Sequence, residues 1–301
     1  MRIIAALVLC AAAAAGAGRE VAITIDDLPR SEDRGPRSFP DVRAMTEHLL
    51  KPFRQQRIPV IGFVNGGREV EFGPENFRRL LDLWLDSGTE LGNHSYSHLN
   101  INDVPIEEYE QDITRGEPVL RAALAARGRK LEFFRHPFLH TGTTVGAKKH
   151  LQEFLVRNGY RVAPVTLDNM DFQFAALYTQ PGYQDRVRQE YVPYMESIAA
   201  FFENRCREVL GREVPQILII DASQLNADLM PELLAMFQRR GYRFVSLAEA
   251  LKDPAYQLPE EYIGPKGLSW IHRWAAAKGM APKEEPPAPK WLTQAAAARS
   301  N

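Results

Sequence analysis

Two rhythms of polar and apolar positions alternate along the chain. Short runs rich in β-branched and aliphatic residues recur at EVAITID (20–26), PVIGFVN (59–65), TELGNHS (89–95), LEFFRHPF (131–138), RVAPVTLD (161–168), QILIIDAS (216–223) and RFVSLAEAL (243–251). Their length and β-branched character predict strands, the last one turning into a short helix. Between them lie longer stretches with apolar residues three and four apart. DVRAMTEHLLKPFRQQ (41–56) and PENFRRLLDLWLDSG (74–88) read as amphipathic helices, the second closing on Gly88. Residues 105–128 read as a helix that Gly116 and Pro118 kink or split. Residues 146–159 and 229–241 also close on glycine, with Asn226 or Asp228 expected to cap the latter. Residues 183–211 hold one broken helix or two.

Strands separated by helices at this spacing imply parallel pairing through right-handed crossovers. The expected class is therefore α/β, a distorted (β/α)7 TIM-like barrel with parallel strands; a doubly wound open sheet is the competing architecture. Both place ligands at the C-terminal ends of the strands. The polar residues follow that rule. Asp26-Asp27 ends the first run, NHSYSH the third, RHPF the fourth, LDNMD the fifth and DAS the sixth, all on one rim. After residue 252 the rhythm is lost. Trp270, Ile271 and Trp274 suggest a strap docked on the barrel, APKEEPPAP is extended, and the last dozen residues are expected to be disordered.

Composition narrows the picture. Hydrophobic residues make up 45% of the 301 residues, enough for a sizeable core. Lys+Arg 37 against Asp+Glu 38 gives no electrostatic reason to expect nucleic acid or an anionic membrane as partner. The start, MRIIAALVLCAAAAAGAGRE, has Arg2, a short apolar stretch and Ala15-Gly16-Ala17. It reads as a secretory signal peptide (1–17) cut near Ala17, which makes the mature chain an exported, periplasmic or secreted protein without a membrane span. The expected units are then 18–252, carrying the chemistry, and 253–301, the strap and tail. Cleavage leaves Cys206 as the one cysteine, so neither a disulfide nor a Cys-rich zinc site is available, and any metal must be held by His and carboxylates.

His94 and His98 stand four apart without the Glu of a zincin helix, so the pair alone is weak evidence. A catalytic zinc needs three protein ligands and an open position. Asp26-Asp27 supplies the missing acid. Two adjacent acids at a buried strand end repel one another unless a cation lies beside them, and then one can bind metal while the other acts as a base on water.

TIDD (24–27), HSYSH (94–98), RHPF (135–138) and LDNMDF (167–172) occur in the order and spacing of the polysaccharide deacetylase family, the NodB-homology domain of carbohydrate esterase family four. The chain resembles that family over roughly residues 20–250. The resemblance implies a metal-dependent hydrolase that removes acetyl groups from an N- or O-acetylated carbohydrate, of the N-acetylglucosamine polymer, peptidoglycan or xylan type. It implies Asp26 as general base, Asp27, His94 and His98 as ligands to a divalent metal (zinc, or cobalt, nickel or manganese), and Arg135 as the group orienting Asp26. The Phe138 backbone N–H would hold the oxyanion, and Asp168 or Asp171 would belong to the fourth motif. Arg135 as a barrel salt bridge and the two aspartates as turn or cap residues are the plainer readings. Tyr96 either packs between the histidines or walls a sugar ring. One departure stands out. The family's fifth motif ends in a histidine, the general acid, whereas Asp221 aligns there and no histidine lies in 151–271. Asp221, His136 or His140 could supply the proton, or the chain could be a glycan-binding pseudoenzyme. An amidase-like hydrolase of another C–N bond is a further alternative.

Overall fold

A computed structural model describes residues 18–31, 35 and 37–299; the expected signal peptide lies outside them. The strands are β1 (Arg19–Leu28), β2 (Val60–Val64), β3 (Glu90–Asn93), β4 (Phe133–Phe134), β5 (Arg161–Val162), β6 (Gln216–Asp221) and β7 (Tyr242–Phe244). They pair in parallel in the order β5-β4-β3-β2-β1-β6. The extended chain after β5 returns to β6 through a parallel bridge, Leu167 to Leu218, which closes the path into a small, distorted barrel. β7 is not a separate stave between β6 and β1. It pairs with the N-terminal end of β1, Arg19–Val21, while β2 takes over from Ile23.

The period-2 alternation of β1 explains the two layers of core. Val21, Ile23 and Ile25 join the large cluster under the helices, whereas Ala22 belongs to a second, interior cluster with Ile61, Phe63, Phe133, Ala163 and Ile217. Thr24 and Asp26 continue the interior row, both buried.

The helices are α1 (Phe39–Gln56), α2 (Glu69–Phe72), α3 (Pro74–Asp86), α4 (Ile106–Arg115), α5 (Glu117–Ala125), α6 (Val145–Arg157), α7 (Asp171–Tyr178), α8 (Gln184–Leu210), α9 (Gln224–Arg239), α10 (Leu247–Ala250), α11 (Trp270–Ala277) and α12 (Lys290–Arg299). The split at Gly116 is as expected, and it has a tertiary reason: a Cβ there would lie 2.9 Å from the Ser95 carbonyl oxygen. α8 runs unbroken through Pro193, held by eleven buried side chains, among them Tyr191, Ile198 and Phe202. α9 starts earlier than its periodicity predicts. Ser223, not Asn226 or Asp228, is its N-cap, accepting from the Asn226 N–H at 3.2 Å. α7 escaped the sequence reading because its apolar residues show almost no helical segregation.

The C-terminal region docks as a strap. Trp270, Ile271 and Trp274 are buried, and the Trp270 N–H reaches the Val165 carbonyl at 2.7 Å. The last dozen residues, expected to be disordered, instead carry α12. Leu292 is fully buried, Trp291 lies parallel to Tyr183 at 6.2 Å, and its indole N–H donates to Glu190 at 2.7 Å. Among the described residues no helix is long and apolar enough to cross a membrane.

Candidate active site

Adjacent residues of a regular strand point to opposite faces, so Asp27 should turn away from Asp26. A bulge prevents this. The β1–β2 register shifts between Ile25 and Leu28, and Asp27 takes a left-handed φ of 62°. Both carboxylates then reach the same imidazole. His94 Nε2 is 3.7 Å from Asp26 Oδ2 and 3.7 Å from Asp27 Oδ1, and His98 Nε2 is 3.6 Å from Asp27 Oδ1. Left-handed backbone costs a non-glycine residue about 1–2 kcal/mol. Apart from the helix cap Arg57, every described non-glycine residue with positive φ belongs to this rim: Asp27, Ser95, His98, Phe138 and Leu139.

Short polar groups hold the histidine loop. The Asn93 carboxamide oxygen accepts from the Ser95 N–H at 2.8 Å, and Ser95 Oγ accepts from the His98 N–H at 3.1 Å. Asp112 accepts the Ser97 N–H with both oxygens, and Asn65 Nδ2 donates to the His94 carbonyl at 2.9 Å. The fit to a cation follows from the donor set. His94 Nδ1 lies 2.9 Å from the Arg135 carbonyl, which only accepts, so Nδ1 carries the hydrogen and Nε2 presents a lone pair toward Asp27. Burial holds His94 neutral, with His98 adding to the effect and the hydrogen bond to the Arg135 carbonyl opposing it. Ligand atoms of Asp27, His94 and His98 all fall within 4.8 Å of one another. A tetrahedral ion with bonds of about 2.1 Å separates its ligands by about 3.4 Å, so the converging acceptors match a zinc-like site.

Asp26 lies beneath this cluster, 3% exposed, with Oδ1 unpartnered and Oδ2 3.5 Å from Arg135 Nη1. Burial pushes its carboxyl up to about 7, against the attraction of Arg135 and aided by Asp27 and Asp171. Arg135 is fully buried, stacked 4.7 Å from the Phe63 ring centroid, and donates to Thr24 Oγ1 at 2.8 Å. A buried cation thus faces a carboxyl that can hold or release a proton near neutrality.

The family model of polysaccharide deacetylases matches residues 13–161. A peptidoglycan-N-acetylglucosamine deacetylase of Bacillus cereus is 22% identical over 234 residues, covering 76% of this chain and 66% of that protein. Two solved structures share the fold. A CE4 family pseudoenzyme from Bacillus anthracis superposes with a TM-score of 0.52 at 16% identity, over 78% of this chain and 66% of that one. A mutant of the peptidoglycan deacetylase PdaC from Bacillus subtilis gives 0.51 at 19%, over 80% and 95%. Residues 13–161 carry a polysaccharide deacetylase domain.

The other residues expected of a polysaccharide deacetylase divide into those at the rim and those that serve as scaffold. Phe138 is 52% exposed at the rim, its ring edge-on to His98 at 4.5 Å. Asp168 is half-buried, and burial, Glu285 and Asp171 push its carboxyl up to about 7. Asp171 is a scaffold residue rather than a substrate-facing one. Its Oδ2 accepts from the Asp221 N–H and from Asn226 Nδ2, each at 2.8 Å, and so ties α7 to the end of β6. Asp221 pairs in register with Asp26 on the neighbouring strand. The Tyr96 ring lies under Arg115 at 3.8 Å and against the position of Gly67, so it packs on the Gly66–Gly67 turn.

Two histidines considered as the proton donor fare poorly. His136 is buried against Phe134, and burial with Arg273, Lys148 and Arg135 pushes it down to about 3, so it stays neutral. His140 bonds Asn100 at 2.7 Å, beyond the Phe138 ring. Asn65, Asn93 and Asp112 were missed. Asn65 and Asn93 end the second and third strands, and the strand-end rule applied to every strand finds both.

Proposed function

We propose that this chain is an exported, metal-dependent deacetylase that releases acetate from an N- or O-acetylated carbohydrate, an N-acetylglucosamine polymer first, with peptidoglycan and xylan as the related substrates. One observation carries the reading. Two imidazole nitrogens and a carboxylate oxygen converge, while a second, unpartnered carboxylate oxygen waits beside them next to a buried arginine.

A divalent cation, zinc before cobalt, nickel or manganese, supplies Lewis acidity there, lowering the pKa of water and polarising the acyl carbonyl. Asp27, His94 and His98 hold it. Asp26 in its ionised form takes the proton of the attacking water, and Arg135 keeps the resulting carboxyl in place. The Phe138 N–H donates to the oxygen that gains charge as the acyl carbon becomes tetrahedral. The nitrogen or oxygen that leaves needs a proton. Burial and Glu285 push Asp168 up to about 7, which favours it as the donor; Asp221, beside Asp26, is the donor that the resemblance to the family's fifth motif suggests.

The test is acetate release from acetylated chito-oligosaccharides, peptidoglycan and acetylated xylan by chelator-stripped protein, with and without added zinc or cobalt. Metal-dependent release on any of the three supports the proposal. Silence from folded, metal-loaded protein on all three overturns it in favour of a glycan-binding pseudoenzyme. The missing fifth-motif histidine is the observation behind that second reading.

A further inference from the structure

The strap that follows the barrel touches the turn after Arg135 at the two residues whose backbone is most constrained. Phe138 has φ 57°, ψ 12°, and Leu139 has φ 55°. Two successive left-handed L-residues persist only when their surroundings hold them. Among the described residues, the backbone bonds within the turn are the backward ones from the Leu139 and His140 N–H groups to the His136 and Pro137 carbonyls. The strap supplies the rest. Arg273 is fully buried. It donates through Nη2 to the Leu139 carbonyl at 2.6 Å, through Nη1 to Thr141 Oγ1 at 3.0 Å, and through Nε to its own Leu268 carbonyl at 2.8 Å. Glu260 stands 3.4 Å away as counterion and also binds Lys148 of α6, while the Trp270 ring lies 4.2 Å from the guanidinium. Gly267 lies flush on the turn: a Cβ there would sit 1.8 Å from the Phe138 carbonyl oxygen. The strap is itself pinned to the barrel, with Ser269 Oγ donating to the Thr166 carbonyl at 2.8 Å. The strap residues themselves, Glu260 to Arg273, lie beyond residue 161, where the family match ends.

We propose that the strap forms part of the active-site apparatus, and that Gly267 and Arg273 are positioning residues that lock the Phe138–Leu139 turn. The lock is a statement about conformation; its consequence for turnover rests on the deacetylase reading above. Arg273 spans two acceptors with one planar group, which a lysine ammonium cannot do. Gly267 leaves room that any other side chain would fill.

The test is hydrogen–deuterium exchange over residues 135–142 of the full chain, with and without zinc. The variants are Gly267→Ala, Arg273→Lys and the charge-balanced Arg273→Met/Glu260→Gln. Gly267→Ala removes no charge and no hydrogen bond, so it carries the test even where an Arg273 variant unfolds. Amides 138–141 should exchange at least tenfold faster in all three, lysine giving no rescue, with zinc affinity within twofold of wild type. Unchanged exchange in folded Gly267→Ala overturns the proposal. So does a parallel loss of zinc binding, which would mean general collapse of the rim. Acetate release separates the two readings. An active wild type whose variants lose kcat tenfold to a hundredfold at constant KM supports both. A silent wild type whose variants exchange faster keeps the lock and removes the deacetylase. An active wild type with unaltered kcat and unaltered exchange in the variants removes the lock alone.

Discussion

Asp26 is buried at the expense of stability, and Asp26→Asn exposes the cost. Its carboxyl is almost wholly buried, one oxygen has no hydrogen-bond partner, and burial pushes it up to about 7 from an ordinary value of 3.8. The folded value is the higher one, so the folded state binds the extra proton, and stability is lost as pH rises from about 4 through about 7. At about 1.4 kcal/mol per pH unit, the raised carboxyl costs the metal-free protein on the order of 1–2 kcal/mol at pH 5 and about 4 kcal/mol at pH 8. Asparagine has the same shape and stays neutral like the protonated acid. Urea unfolding of chelator-treated wild type and Asp26→Asn at pH 5 and pH 8 should therefore show the variant as the more stable, with a gap that widens by roughly 2–3 kcal/mol between the two. The same variant should retain zinc and lose turnover, since asparagine cannot accept the proton of water. Equal midpoints at both pH values, or a gap that does not change with pH, would refute the claim that burial raises Asp26.

Four further outcomes test other parts of the site. His94→Ala leaves two ligands and should weaken zinc binding by on the order of a hundredfold or more; titration calorimetry that still shows tight one-to-one binding would remove His94 from the ligand set. Asp112→Ala frees the Ser97 N–H from both carboxylate oxygens, and should cost about 1.5–3 kcal/mol in denaturant unfolding and about tenfold in zinc affinity. Asp168→Asn should lower kcat and abolish the fall in rate above about pH 7 that loss of its proton causes; an unaltered profile passes the proton-donor role to Asp221. Asp221→His should raise the rate if the absent fifth-motif acid limits catalysis, and a drop would show that Asp221 has a task of its own.

How much of this was legible beforehand depends on the range of the forces involved. Strands β1, β2, β3 and β6 were readable because a buried parallel strand must be apolar on both faces. β4 and β5 shrink to two residues each, since only there does the ladder hold within much longer apolar runs. The rim assignment of Asp26, Asp27, His94, His98 and Arg135 followed from residue type at strand ends, a local signal.

Tertiary packing decided the rest. The bulge that turns Asp27 toward Asp26 needs β2 alongside. Asp171 reads in sequence as a rim acid, yet it is consumed by the Asp221 N–H and Asn226, fifty residues away or more. α12 reads as a disordered tail because its own ten residues have little to fold on; Leu292 and Trp291 order it only by meeting α7 and α8. The strap shows the same division. Trp270 and Trp274 announce in sequence that something docks, but that Arg273 ends on the Leu139 carbonyl is a contact across 134 residues. The sequence by itself determined which side chains could do the chemistry and which rim would carry them. Only the folded chain decided which carboxylates stay available, because hydrogen bonds between distant segments leave no periodicity in the sequence.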